Sequence, residues 1–266
     1  MTSRFLIIGN WKMNPLELSD AESLLHSLSN ITRNLMQVTL LSCVPHVFLA
    51  PLLQQSRSYT NYHVGAQDAI PGDTASLTGE VSMGMMKSLG VSHILIGHSE
   101  CRAAGDTDEI VNAKIKDALA HELTPIVIVG EEERGKTKSY LNTIKKQLDA
   151  ALDKIPKRDI DGMIFAYEPV WAVGAQAKRE CSPAECAEVA TMMRAYIEKR
   201  GLKGAGERAT ILYGGSTDDK NVRGYLEDAG VDGVLAGRAS LDPRMIGLML
   251  RVAEDVAEQQ LAKADN

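Results

Sequence analysis

Short apolar runs recur along the chain at Phe5–Gly9, Val38–Cys43, Tyr62–Ala66, His93–Gly97, Pro125–Gly130, Met163–Tyr167, Ala209–Tyr213 and Gly233–Gly237. They are rich in β-branched residues and lack in/out alternation, which fits strands covered on both faces. Between them the spacing turns helical. Leu16–Leu28 places leucines at 16, 18, 24, 25 and 28; Ile110–Leu119 carries Ile110, Ala113, Lys114 and Asp117; Tyr140–Leu152 carries Leu141, Ile144, Leu148 and Leu152. Ser182–Ile197 opens with Ser182, Pro183 and Glu185, a capping box with proline at the first helical position. A last helix is predicted from Pro243 to Leu261, with 262–266 as a frayed tail.

Eight strand candidates, each followed by a helical pattern, argue for an α/β fold with a parallel sheet. Eight such units in about 250 residues match a closed (β/α)8 barrel; a doubly wound open sheet is the competing architecture. No composition shift and no linker rich in Pro, Gly or Ser divides the chain, so residues 1–266 are expected to form one domain. Aromatic residues make up only 5% of the sequence, so Val, Ile, Leu, Ala and Met must fill the core.

Charge narrows the classes of function. The 29 basic and 35 acidic side chains leave a net charge of −6, with no basic concentration of the kind that binds nucleic acid or an anionic membrane. No apolar run is long enough to span a bilayer, and the apolar stretch at the N-terminus is too short for a signal peptide, with Lys12 soon after it. The expectation is a soluble, cytoplasmic protein. Cys43, Cys101, Cys181 and Cys186 match neither a zinc pattern nor a CxxC pair, so they are expected to be reduced, structural thiols. Cys181 and Cys186 are expected at the start of one helix, facing different directions.

In a barrel, chemistry belongs at the C-terminal ends of the strands. The polar residues there are Asn10 and Lys12 after the first run, and His98, Ser99 and Glu100 after the fourth. Glu131 follows the fifth, Glu168 the sixth, Gly214, Gly215 and Ser216 the seventh, and Gly237 and Arg238 the eighth. Glu168 lies in FAYEPVWAVGAQAK (Phe165–Lys178), where Pro169 restricts it to extended geometry. The small residues behind it read as a lid over a general base. The turns at Gly214–Ser216 and Gly237–Ser240 would expose backbone N–H groups to a phosphate. His93 and His98 are five apart, on opposite faces of a strand, which argues against a shared metal. No Asp/Glu/His spacing predicts a metal site. Lys12, flanked by Trp11 and Met13, is expected to point into the barrel mouth. A base, an imidazole, a cation and a phosphate clamp together suit proton abstraction next to a carbonyl.

GNWKMN (Gly9–Asn14), GAQ (Gly65–Gln67), TGE (Thr78–Glu80), GHSE with Arg102, AYEPVWA (Ala166–Ala172), YGGS (Tyr213–Ser216) and DGVLAG around Gly237 occur in the order found in the triosephosphate isomerase family. The chain resembles that family over nearly its whole length. The resemblance implies a TIM barrel and the interconversion of glycerone phosphate and D-glyceraldehyde 3-phosphate, in glycolysis and gluconeogenesis, with no cofactor and no metal. It implies Glu168 as base, His98 as neutral electrophile, Lys12 as cation, Asn10 as a hydrogen-bonding neighbour and Glu100 as support. Gly174, Ser216, Gly237 and the backbone of Arg238 match phosphate-binding positions. Pro169, Val170, Trp171, Ala172, Val173, Ala175 and Gln176 match the lid, and Trp171, Tyr167 and Glu131 its latch. The family implies a homodimer, formed through the Thr78 loop.

The sequence also departs from the family. After Val173 the lid reads Gly174-Ala175-Gln176-Ala177-Lys178 in place of Gly-Thr-Gly-Lys. Arg238 stands where a second glycine is usual, Ile128 where a Cys is usual, Cys101 in place of an interface Arg, and Asp68 in place of an Asn. The loop from Glu131 to Gly135 is shorter than usual. Two other readings compete with the triose one: a paralogue acting on a four-carbon ketose phosphate such as an erythrulose phosphate, and a catalytically impaired barrel kept for binding.

Overall fold

Eight parallel strands carry the apolar runs: β1 (Phe5–Asn10), β2 (Val38–Val44), β3 (Tyr62–Ala66), β4 (His93–Ile96), β5 (Thr124–Val129), β6 (Ile164–Tyr167), β7 (Thr210–Tyr213) and β8 (Gly233–Ala236). In this computed structural model, which describes residues 5–73, 76–135, 137–174 and 177–264, the strands pair in chain order. The register sets Ile7 beside Leu40 on one side and Val234 on the other, so β8 returns to β1 and the sheet closes. The architecture is the (β/α)8 barrel, and the open-sheet alternative falls.

Closure explains the uninterrupted apolar strands. Successive side chains point to opposite faces, and both faces are buried. Ile8, Leu41, Leu95, Ile126, Leu212 and Leu235 belong to a small cluster that fills the barrel's interior. Their neighbours Ile7, Leu40, Ile94, Val127, Ile211 and Val234 face outward into a much larger cluster shared with the helices. Few aromatics are needed because aliphatic side chains from both layers interdigitate.

The helix over Pro183–Arg200 begins as the sequence predicts. Ser182 Oγ accepts from Glu185 N, the Glu185 carboxylate accepts from Ser182 N, and proline occupies the first turn. Other helices differ from expectation. The first runs over Leu18–Thr32 and buries Leu24, Leu25 and Leu28, whereas Leu16 and Leu18 are exposed. In Asp108–Ala120 the buried face is Val111, Asn112, Lys114, Ile115 and Ala118, with Ile110 exposed. A helix over His46–Ser56 escapes sequence reading because Pro51 sits inside it; burial of Phe48, Leu49 and Leu52 outweighs the lost backbone bond. The last helix runs over Pro243–Ala264 and so takes in Ala262–Ala264 from the expected tail. Alanine and lysine are strong helix formers, and Lys263 suits a helix C-terminus. Asp265 and Asn266 lie outside the described residues.

Candidate active site

The C-terminal ends of the strands converge on a cleft of about 550 Å³ lined by Asn10, Lys12, His98, Glu100, Glu168, Val173, Gly174, Ser216, Gly237 and Arg238, among others. Lys12 reaches it from an unusual backbone. Its φ is +53°, a conformation costing a non-glycine residue about 1–2 kcal/mol. Two polar contacts hold it there: Lys12 N donates to Asn10 Oδ1 at 3.0 Å, and Gln67 Nε2 donates to the Lys12 carbonyl at 2.9 Å. The ammonium pairs with Glu100 Oε1 at 2.6 Å.

At the end of β4, Gly97 takes φ +83° and turns the chain, so that His98 leads into the helix over Ser99–Ala104. Glu100 N donates to His98 Nδ1 at 3.2 Å. A ring nitrogen that accepts carries no proton, so the single proton of a neutral imidazole sits on Nε2. That nitrogen lies 3.1 Å from Glu168 Oε1. The other carboxylate oxygen, Oε2, accepts from Ser99 N at 2.9 Å. Both His98 and Glu168 are buried.

Glu168 is fixed from behind by the end of β5. Its backbone N donates to Val129 O at 2.8 Å. Gly130 passes so close that a Cβ there would sit 1.8 Å from the Glu168 carbonyl oxygen, so only glycine fits. Gln147 brackets Gly130, accepting from its N at 2.8 Å and donating to its O at 3.0 Å. The next residue, Glu131, is buried, and its Oε1 accepts from Trp171 Nε1 at 2.9 Å, Tyr167 OH at 3.0 Å and Arg134 at 3.2 Å. Burial first, and then the Glu131 carboxylate, push the Tyr167 hydroxyl above its ordinary range, so it acts as a donor.

Pro169 follows Glu168 with φ −67°, and Val170–Ala172 form one tight turn. Lys178 N donates to Trp171 O at 2.8 Å, joining the two ends of the loop. Val173 and Gly174 reach the cleft. Ala175 and Gln176, expected in the lid, lie outside the described residues. Ser216 N donates to Ala172 O at 3.3 Å, linking the turn after β7 to the lid stem. Gly237 and Arg238 follow β8, and the Lys12 side chain passes about 4.0 Å from where a Gly237 Cβ would be. Lys12 and the β8 turn therefore share one wall.

The fold also gathers residues whose sequence spacing suggests nothing. Asp68, Cys101 and Asp106 come close enough to contact a common cation. That position is filled from within: Lys114 Nζ lies 2.8 Å from Asp68 and 2.7 Å from Asp106. Cys181 and Cys186 are both buried in the outer core. Sequence reading missed Gln67, Gln147, Arg134 and Arg179. The only signal was the position of Gln67 within GAQ, because the partners of Gln67 and Gln147 are distant in sequence and the ring contacts of the two arginines depend on the loop path.

The sequence model of the triosephosphate isomerase family matches residues 5–253. The chain is 38% identical over 249 residues to the protein named triosephosphate isomerase from Synechococcus sp. (strain JA-2-3B'a(2-13)), covering 90% of this chain and 93% of that protein. It is 35% identical over 258 residues to the one from Caldanaerobacter subterraneus subsp. tengcongensis, covering 96% and 98%. It is also 35% identical over 239 residues to that of Alkaliphilus oremlandii, covering 89% and 94%. None of the described helices is long and apolar enough to cross a membrane. With a closed eight-strand barrel whose mouth holds the motif residues, and relatives of this name matching it nearly end to end, the chain belongs to the triosephosphate isomerase family.

Proposed function

We propose that the protein interconverts glycerone phosphate and D-glyceraldehyde 3-phosphate through an enediol. One contact carries the reading: Glu168 Oε1 lies 3.1 Å from His98 Nε2, in a cleft that also holds Lys12 and the turns after β7 and β8. Glu168 takes a proton from the carbon beside the carbonyl and returns it to the neighbouring carbon. His98, with its proton on Nε2, donates to the carbonyl oxygen as negative charge builds there. Lys12 supplies the offsetting positive charge, Asn10 hydrogen-bonds nearby, and Glu100 holds both Lys12 and the His98 tautomer. One proton moves between adjacent carbons, and no redox partner or metal is required. Gly174, Ser216, Gly237 and the backbone of Arg238 bind the phosphate, while Pro169–Gln176 close over it and exclude water.

The same reading places the enzyme in glycolysis and gluconeogenesis, in the cytoplasm, as a homodimer. Support for the dimer comes from a second cavity of about 270 Å³, lined by Lys12, Met13, His46, Gln67 and Cys101 beside the first. Met13, Leu16, Val47, Leu77 and Met85 are exposed apolar side chains of the kind a second copy would cover. The Thr78 loop of a second copy would fill that cavity. Light scattering over a dilution series checks this; a particle of one chain at every concentration refutes it.

The experiment for the reaction is turnover of glycerone phosphate beside erythrulose phosphate. The larger substrate adds a hydroxymethyl group at the reacting carbon, and the altered lid tip would have to make room for it. Robust triose turnover is expected. Tetrose turnover alone would replace the substrate but keep the chemistry, and no turnover of either would favour a binding barrel.

A further inference from the structure

Trp171, three residues beyond Glu168, is flanked by two guanidinium groups. The Arg179 guanidinium carbon lies 4.4 Å from its ring centroid and that of Arg134 lies 5.7 Å away. Its indole N–H is held by Glu131. Arg179 is itself anchored: NH1 donates to Glu185 Oε2 at 2.8 Å and NH2 to Glu185 Oε1 at 2.6 Å, a fork onto a carboxylate. Glu185 belongs to the capping box that starts the 18-residue helix over Pro183–Arg200. Arg179 first, together with the Ser182 backbone and hydroxyl, holds its carboxyl down at about 2. Arg134 ties in as well, donating to the Glu185 carbonyl at 3.1 Å and lying over Tyr140. Arg179 directly follows Gly174–Lys178, the segment where the sequence departs from its family.

We infer that Arg179 is a positioning residue for the loop after β6, a clamp that ties Trp171 and Lys178, near its two ends, to the Pro183–Arg200 helix. The chain of contacts is continuous. The helix holds Glu185, Glu185 holds Arg179, Arg179 holds the Trp171 ring, and the Trp171 carbonyl holds Lys178 N. Arg179 lies outside the cleft and does not reach substrate. This inference rests on the isomerase reading for its consequence in turnover, though not for the clamp itself. A loose lid base admits water and lets the enediolate relax into the geometry that expels phosphate. In that side reaction the enediolate electrons form the new double bond as the C3–O bond breaks. Inorganic phosphate leaves with the bonding pair, and the resulting enol tautomerises to methylglyoxal.

The test compares wild type, Arg179→Met and Arg179→Lys. Met keeps an apolar stem without charge or fork; Lys keeps the cation over the ring but not the fork. Hydrogen exchange over residues 169–180 reads the clamp without substrate. Losing a cation–π contact and a charge-assisted pair should speed exchange in Arg179→Met about tenfold, with Arg179→Lys intermediate. With glycerone phosphate, Arg179→Met should lose about tenfold in kcat and release a larger fraction of turnover as inorganic phosphate, again with Lys between. Unchanged exchange, or an unchanged phosphate fraction in an active Arg179→Met enzyme, overturns the inference. A wild-type protein that ignores glycerone phosphate overturns the isomerase reading; the exchange comparison still decides the clamp.

Discussion

Glu168 Oε1 lies 3.1 Å from His98 Nε2 while Glu168 Oε2 accepts from Ser99 N at 2.9 Å. The proposed base is therefore held by the Ser99 amide with the His98 ring alongside, and to reach a substrate carbon it must release that amide. Both neighbours come from the end of β4, two strands away from β6, which carries Glu168. The resting position of the carboxylate thus depends on the β4–β5–β6 pairing as well as on its own strand.

Glu168→Gln removes the basic oxygen but keeps the size. The amide oxygen can still accept from Ser99 N, which leaves the amide NH2 toward the His98 ring. General base catalysis contributes about 10²–10⁴-fold, so kcat should fall by at least that range. Phosphate-ion binding should stay near wild type, and the thermal midpoint should move by only a few degrees, the effect of about 1 kcal/mol. Steady-state kinetics beside a melting curve check both; a wild-type rate in the variant removes Glu168 from the mechanism.

Arg238 has no hydrogen-bond or ion-pair partner among the described residues, although Asp218 and Asp242 line the same cleft. Both carboxylates are engaged by backbone: Asp218 Oδ1 accepts from Lys220 N and Asn221 N, and Asp242 Oδ1 accepts from Arg244 N. Among the described residues nothing pairs with the guanidinium, which follows the turn proposed to bind phosphate. Arg238→Gly, which restores the usual residue of the family, should raise KM for glycerone phosphate about tenfold if the side chain adds one charge-assisted contact. A KM that falls instead would mean that Arg238 obstructs the site.

Lys114 is a buried cation between two carboxylates, 2.8 Å from Asp68 and 2.7 Å from Asp106. Replacing it with Met leaves two acids facing each other without a counter-charge and should destabilise the fold by about 3 kcal/mol. Asp68→Asn should cost much less, because Asp106 still pairs with the ammonium. Urea unfolding of the two variants ranks them, and equal losses would show that Asp68 carries the pair. The network lies beside Cys101 and the Lys12–Gln67 cavity, so Lys114→Met should also weaken any dimer formed there.

The barrel was legible because each strand is apolar on both faces, and that pattern has few solutions once it repeats eight times. The residues around the cleft were legible because a strand end fixes where its next residue goes: Asn10, His98, Glu168 and Gly237 each lie at or within two positions of one. What failed had a common cause. Lys114 reads as a solvated lysine until the fold brings Asp68 and Asp106 to it from 46 and 8 residues away. The helix at His46–Ser56 contradicts its own proline and is stabilised only by tertiary burial. Arg134 and Arg179 look like surface charge, and their contacts with Trp171 depend on a loop path that no local spacing encodes.

His121 ties the base of the Thr78 loop to the helix over Asp108–Ala120. Its Nδ1 lies 2.9 Å from Asp117 O and its Nε2 lies 2.7 Å from Asp73 Oδ2. Both partners are acceptors, so only the imidazolium satisfies both contacts. Asp73 continues the tie by accepting from Gly84 N, and Asp117 accepts from Gly72 N. The Asp117 carbonyl first, and then Asp73, raise the His121 pKa above its ordinary value. A raised folded value means that the contribution is fully present below the unfolded value of about 6.5 and is lost as pH climbs through the folded one. Asp73 works in the opposite sense. Its pKa is lowered, by Ser82 first and then His121, so its contribution fails only as pH falls through that depressed value. Wild type should therefore lose melting temperature as pH rises from about 6.5 through the raised folded value, while His121→Gln stays flatter over the same range. Dimer dissociation should rise in the same window if the Thr78 loop forms the contact. Parallel melting profiles for the two proteins would show that the ring is not charged in the folded state.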